Sequence, residues 1–391
     1  MDKKSVFIIG SKGTPAKYGG FETFVDNLVS RQKNMNIQYF VACRRDLSSN
    51  KEDTYPYSQA QCFNIDVPDI GPAKAIIYDV RALAWTTRYI QENSVKDAIV
   101  YILACRMGPF LDHYRRKLKK FGTKFYVNPD GHEWLRDKWS YPIKRYWKFS
   151  ERLMVKHADL LICDSQHIEL YVRDTYKRYK PNTMYLSYGS TISKRGSDSI
   201  ELEKWYKTHG IKPNQYYLIV GRFVPENNYK TMLSEFSKSK TNRCLAIVTG
   251  VDNLKFFDQL KKETNFDKDA RIKFVGTVYD KKLLTQIREH AFAYIHGHEV
   301  GGTNPSLLEA LGTTQLNLLF DVGFNREVGK EGAIYWTKEL NSLSRKINMI
   351  EKMPKDKIDV FAKESKAIIA KNFNWNSIVD QYEDVFDEHR S

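Results

Sequence analysis

Short, unbroken apolar runs separated by segments of helical periodicity recur along the whole chain, and this alternation constrains the fold more than any other feature. Ser5 to Ile9, Ile37 to Ala42, Ile99 to Leu103, Phe125 to Val127, Leu160 to Cys163 and Met184 to Leu186 form one series. Tyr216 to Val220, Leu245 to Val248, Ile272 to Val275, Ala291 to Ile295 and Leu316 to Phe320 form a second. Continuous apolar runs, as opposed to alternating ones, belong to strands buried on both faces, the condition inside a parallel sheet. Strands that alternate with helices therefore predict an α/β chain of two doubly wound, Rossmann-like domains. The expected domains are residues 1–190 and 214–372, joined by a linker at 191–213. In the closing segment, 373–391, Trp375, Ile378, Tyr382 and Val385 make an apolar helical stripe, expected to pack back toward the first domain. Two such domains facing each other imply a cleft between them, where a ligand and a hinge are expected.

The chain of 391 residues is long enough for two separate cores. No apolar run approaches the roughly 20 residues that span a bilayer, and the first ten residues lead directly into a strand, so a cytoplasmic location is expected. Cys43, Cys62, Cys105, Cys163 and Cys244 are odd in number, scattered and mostly set in apolar runs. They read as buried thiols; neither a disulfide framework nor a metal site is expected.

In open α/β sheets, ligands collect at the carboxyl ends of strands, so the loops there carry the candidate chemistry. The first, Gly10 to Phe24, contains Gly19 and Gly20 at a helix start, where the lack of a Cβ lets backbone approach a phosphate or an acceptor closely. It has neither the Gly-x-Gly-x-x-Gly of dinucleotide binding nor the Gly-Lys-Ser/Thr of nucleoside triphosphatases. Asn128-Pro-Asp-Gly-His-Glu-Trp-Leu-Arg-Asp-Lys-Trp139 concentrates Asp130, His132, Glu133 and Arg136 beside two tryptophans, the mixture that sugar-contacting loops use. Gly221-Arg-Phe-Val-Pro-Glu-Asn-Asn228 offers Arg222 as a bidentate phosphate clamp. Last comes His296-Gly-His-Glu-Val-Gly-Gly-Thr-Asn-Pro-Ser-Leu-Leu-Glu-Ala-Leu311. Here Thr303 or Asn304 can cap a helix whose first turn accepts Pro305, and the amides of that turn, with the Gly301-Gly302 loop, suit a diphosphate. Glu309, one turn further in, can accept hydrogen bonds from a sugar or ribose diol.

The net charge of +15 is unevenly placed: residues 101–180 hold 18 Lys and Arg against 9 Asp and Glu. Arg115, Arg116, Lys119 and Lys120, with Phe121, form one cluster in which bases and aromatics interleave; Tyr141 to Phe149 form another. Such a surface suits an anionic membrane, at about 1 kcal/mol per basic residue near the headgroups. Nucleic acid would use the same charge, but phosphate-binding helix starts and a cleft would then have no purpose, so nucleic acid is not an expected partner.

Gly-Gly-Thr-Asn-Pro-Ser-Leu-Leu-Glu-Ala-Leu resembles the donor-binding signature of glycosyltransferase family 4, retaining enzymes of the GT-B fold. That resemblance implies that Glu309 contacts the nucleotide ribose and that Gly302, Thr303, Asn304, Ser306 and Leu307 line the donor. The family's first glutamate falls on Gly301, leaving Glu299 or His298 to replace it. The Gly221-Arg222 element resembles a second signature, in which an arginine and a lysine hold the donor diphosphate; Asn227, followed by Asn228, stands at the lysine position, and Arg326 is the candidate compensating base. Together with the Gly10 and Asn128 loops, these motifs resemble the rhamnosyltransferases of capsule and cell-wall polysaccharide assembly. The resemblance implies transfer of L-rhamnose from dTDP-L-rhamnose, with retention, to a lipid-pyrophosphate-linked glucose through a β1-4 bond. It also implies work at the inner face of the plasma membrane, no metal and no further cofactor. Asp130, His132, Glu133 and Glu299 are then the candidate catalytic groups, and Arg136 with the 115–120 bases the acceptor and membrane contacts. A transferase using another donor, such as UDP-glucose, and a sugar-nucleotide 2-epimerase remain as alternatives on the same fold.

Overall fold

The computed structural model describes residues 3–16, 19–136, 139–193 and 198–387. Lys17 and Tyr18 of the first glycine loop, Asp137 and Lys138 of the Asn128 loop, and residues 194–197 of the expected linker lie outside them. The chain forms two compact units, residues 1–189 with 375–391 and residues 190–374.

The first unit holds an eight-stranded sheet: β1 (Lys4–Ile9), β2 (Ile37–Arg44), β3 (Thr54–Tyr57), β4 (Ala60–Ile65), β5 (Ile99–Leu103), β6 (Lys124–Asn128), β7 (Leu160–Cys163) and β8 (Thr183–Tyr185). Their order is β3-β4-β2-β1-β5-β6-β7-β8, parallel except where β3 pairs with β4. The second unit holds β9 (Tyr216–Val220), β10 (Cys244–Val248), β11 (Ile272–Gly276), β12 (Ala293–His296), β13 (Asn317–Phe320) and β14 (Ile334–Trp336), all parallel in the order β11-β10-β9-β12-β13-β14. Both are Rossmann-like. Parallel neighbours need a crossover, and a helix follows most strands as the apolar runs require. Cores of Val, Ile, Leu and aromatic side chains fill each unit separately.

The segment 191–213 is not a free linker. Its helix Ile200–His209 buries Leu202, Trp205 and Tyr206, and both rings meet Tyr216 at the start of β9. The final helix, Trp375–Phe386, belongs to the first unit. Tyr382 is wholly buried there, 4.8 Å from Phe24 and 6.1 Å from Tyr101, while Glu383 accepts from the amides of Lys33 and Asn34 at 2.9 Å each. Truncating a buried aromatic leaves a cavity that its neighbours only partly fill. Tyr382→Ala is therefore expected to destabilise the first unit by about 3–5 kcal/mol, measured as a lower urea midpoint of its unfolding transition.

Candidate functional site

In the second sheet the strand order runs outward in both directions from β9, so the winding reverses between β9 and β12. At such a point the flanking loops part to opposite faces and leave a crevice at the carboxyl ends, the default ligand position of an open parallel sheet. The loops here are those after Val220 and after His296.

Side-chain amides tie them together. Asn228 Nδ2 donates to the Gly297 carbonyl at 2.8 Å and to Glu299 Oε2 at 3.1 Å. Asn227 Nδ2 donates to the Arg222 carbonyl at 2.7 Å, and its Oδ1 lies 3.0 Å from His298 Nδ1. Between the same loops, the Glu299 amide donates to the Glu226 carbonyl at 3.1 Å. Asn227 and Asn228, expected to face the donor, are thus engaged in holding one loop against the other. Glu299, a candidate catalytic group, is paired with Lys338, whose Nζ lies 2.7 and 2.6 Å from its two oxygens. Arg222 stands exposed where its loop leaves β9. The compensation expected from Arg326 is not arranged: its guanidinium is taken by Asp321, at 2.6 Å from Nη2, and lies over Tyr335.

The helix Pro305–Thr313 begins at the crevice, with Asn304 as its cap. Asn304 Oδ1 accepts from the Ser306 amide at 2.9 Å, Pro305 has no N–H, and the Leu307 amide points to the Asn304 carbonyl at 3.0 Å. The first-turn amides expected to meet a diphosphate are therefore already satisfied, and an anion must displace the Asn304 side chain to reach Ser306. Leu307 is fully buried, so only its backbone can contribute, and Gly302 and Thr303 are buried with it. One turn in, Glu309 is partly exposed, and its Oε2 lies 2.7 Å from Arg288 Nη2. Arg288 is itself buried and also reaches Ser306 Oγ at 3.2 Å. The buried guanidinium fixes the pose of the carboxylate. Nothing in the sequence singled Arg288 out, because a base near the end of an amphipathic helix reads as solvated.

In the first sheet the winding reverses between β1 and β5. The carboxylate of Glu22 is buried in the first turn of the helix Gly20–Ser30, where its Oε1 accepts from the Lys12 amide at 2.8 Å. A Cβ on Gly19, whose φ is 126°, would meet Glu22 Oε2 at 1.8 Å. A phosphate expected at Gly19 and Gly20 would meet that negative charge at close range. Arg106, which follows β5, was not foreseen: its Nη1 donates to the Gly10 carbonyl at 2.9 Å and to Asp79 Oδ2 at 3.1 Å. Burial pushes the Asp79 carboxyl up to about 6, against the pull of Arg106.

After β6, Asp130 and His132 both take left-handed backbone angles, φ 58° and 45°, and the Asp130 amide donates to Asn128 Oδ1 at 2.8 Å. Glu133 is held by Trp139 Nε1 at 2.9 Å and by Arg136 Nε at 2.5 Å. Arg136, expected to reach an acceptor, is buried in that ion pair, with Asp130 at 3.9 Å. Glu133, a candidate catalytic group, is thus engaged by both neighbours. His132 lies 4.2 Å from Tyr171, and burial, with Lys148 nearby, holds its imidazole below the ordinary value. Of the basic cluster, Arg115 pairs with Asp159 and Arg116 with Asp112, while Lys120 lies over Phe121, which is buried and so is no insertable aromatic. Lys119 is exposed.

Residues 202–385 match the family described as glycosyl transferases group 1, and residues 3–191 match a domain of unknown function, DUF1972. No curated protein matches the chain. Among solved structures, sucrose-phosphate synthase from Thermosynechococcus elongatus is 15% identical with a TM-score of 0.79 over 99% of both chains. HepE from Anabaena in complex with UDP-glucose is 14% identical, with a TM-score of 0.71 over 98% of this chain and 99% of that one. A glycosyltransferase from Rickettsia africae is 13% identical, with a TM-score of 0.73 over 99% of both. At such identities the likeness establishes the fold. That fold is the GT-B type, and the glycosyl transferases group 1 match falls mostly on its second unit.

The Asn304 cap gives a direct test of the helix end. In Asn304→Asp the cap oxygen and the helix dipole are kept, but a negative charge stands where a diphosphate must enter. The melting temperature is expected to hold while affinity for a nucleoside diphosphate, measured by calorimetry, falls about tenfold or more.

Proposed function

We propose that the protein is a retaining transferase that moves L-rhamnose from dTDP-L-rhamnose to a sugar carried on a lipid pyrophosphate, a glucose joined through a β1-4 bond. The observation that carries the donor half is Glu309 fixed by buried Arg288, one turn inside an Asn304-capped helix at the switch point of the second sheet. Exposed Arg222 borders the same crevice and supplies the charge for a diphosphate, with Glu309 at the ribose. HepE, a structural neighbour, is seen with UDP-glucose, which supports a sugar nucleotide as ligand and keeps a UDP-glucose donor as the second reading. The choice of dTDP-L-rhamnose rests on the motif resemblance.

In this reaction the bond from the sugar C1 to the diphosphate oxygen breaks and a bond from C1 to the acceptor oxygen forms on the same face. Glu133 and Glu299 sit in ion pairs with Arg136 and Lys338, so neither presents a ready nucleophile. Front-face attack is therefore favoured, with the acceptor proton passing to the departing phosphate oxygen. The leaving charge is met by Arg222 and the helix end, an electrostatic role that needs no proton transfer from the protein; no metal is part of the proposal. Arg222→Ala and Glu309→Gln are each expected to lower transfer from dTDP-L-rhamnose more than tenfold, with circular dichroism unchanged. Wild-type turnover in either, or preference for UDP-glucose as donor, contradicts the corresponding assignment.

A lipid-linked acceptor requires a surface that meets the membrane. No helix among the described residues is long and apolar enough to cross one. On the helix Tyr141–His157, Tyr141, Arg145, Phe149 and Arg152 share one face by their spacing. Tyr141 and Phe149 are exposed, at 72% and 44%, with Arg145 and Arg152 over their rings. Exposed aromatics beside bases suit an anionic headgroup layer; this face fits that role better than the Arg115 cluster, whose acidic partners already offset part of its charge. Changing Tyr141, Arg145, Phe149 and Arg152 together to Ser or Gln is expected to abolish sedimentation with phosphatidylglycerol vesicles and slow transfer to a lipid acceptor. Transfer to a water-soluble analogue should be retained; equal loss on both would place the face in the fold or active site.

A further inference from the structure

The second unit contains a buried acceptor that none of the roles above uses. His296 ends β12 with its side chain almost completely enclosed. Its Nδ1 lies 3.2 Å from the Tyr294 hydroxyl, and that hydroxyl donates to the Val220 carbonyl at 3.1 Å. In the arrangement in which Tyr294 donates to Val220, a carbonyl that Ser306 Oγ also reaches at 3.3 Å, the Tyr294 oxygen accepts from the imidazole, so Nδ1 carries the hydrogen and Nε2 the lone pair. Nε2 has no hydrogen-bond partner. Burial pushes the imidazole down to about 3, so this is the neutral tautomer throughout the physiological range.

The ring's surroundings are those of the candidate site. Through Tyr294 it adjoins Ser306 in the first turn of the helix Pro305–Thr313, at 3.4 Å between hydroxyls. Its other flank is His298, with ring centres 6.0 Å apart. Because Asn227 turns its Nδ2 to the Arg222 carbonyl, its Oδ1 faces His298 Nδ1 and accepts from it. A Cβ on Gly301 would come within 3.1 Å of His298 Nε2. The two imidazoles thus stand side by side near the helix end.

A buried acceptor left unpaired is unfavourable until a donor arrives. An ionised diphosphate has no hydrogen to offer, whereas the hydroxyls of the attached sugar do. We infer that His296 is a sugar-recognising residue, its Nε2 accepting a hydrogen bond from a hydroxyl of the hexosyl group of the bound nucleotide sugar. This rests on the donor site proposed above.

The two claims separate in calorimetry on the full chain with dTDP, dTDP-L-rhamnose, UDP and UDP-glucose. His296→Phe keeps a flat ring and removes both nitrogens. It is expected to bind the bare diphosphate within twofold of wild type while losing tenfold or more in affinity for the sugar nucleotide. Unchanged sugar-nucleotide affinity overturns the inference and assigns Nε2 to a buried water. If wild type binds neither the diphosphates nor the sugar nucleotides, the donor site fails and the inference with it. Should His296→Phe not fold, nitrogen-15 histidine spectra of the wild-type protein decide: the Nε2 resonance of His296 is expected to move with the sugar nucleotide and hold still with the diphosphate. An equal response to both ligands, or none to either, overturns the inference.

Discussion

The reversal of winding between β9 and β12 is the constraint on which the second unit's chemistry depends. Where two parallel strands send their loops to opposite faces, the ladder ends and the loop backbone must find other partners, since buried amides and carbonyls are rarely left unpaired. Asparagine supplies them. Asn228 reaches Gly297 across the gap, Asn227 links Arg222 to His298, and Asn325 donates to the carbonyls of His298 and Phe320 at 3.0 and 2.9 Å. These neutral staples shape the crevice without adding charge to it; Arg222 is exposed at its mouth, and Glu309 is held by Arg288 one turn into the helix Pro305–Thr313.

The same economy of charge runs through the first unit. Arg106 joins Asp79 to the Gly10 carbonyl, Glu22 fills the glycine turn, and Arg136 holds Glu133. Loops rich in ionisable groups thus turn out to be largely self-neutralised. At Gly19 the space a Cβ would take is filled by the Glu22 carboxylate.

The core of the fold was legible because parallel strands are buried on both faces and must be apolar throughout. The runs at Ile99–Leu103, Leu160–Cys163 and Tyr216–Val220 coincide with strands end to end. Missed were β3, β4 and β14. Thr54-Tyr-Pro-Tyr57 is an edge strand that tolerates proline, Ala60–Ile65 is interrupted by Gln61 and Asn64, and Ile334–Trp336 is too short to show a period. The helix capped by Asn304 was readable because capping is local chemistry. The partners of Asn227, Glu299 and Glu133 were not, because Lys338 is 39 residues from Glu299 in sequence, and only the folded loop brings Trp139 and Arg136 onto Glu133. Arg288 and His296 were hidden for the same reason: burial that the tertiary structure creates decides their role.

The proposed sugar-nucleotide site lies in the second unit, at the end of the helix Pro305–Thr313. A crystal structure of the full chain with dTDP-L-rhamnose or UDP-glucose tests it most directly. The diphosphate should lie against Arg222 and the backbone of Thr303 and Asn304, with the Asn304 side chain swung away from Ser306 and Glu309 on the ribose. Density for the diphosphate at the Gly10 to Gly20 loop, with the Asn304 cap undisturbed, would overturn that placement.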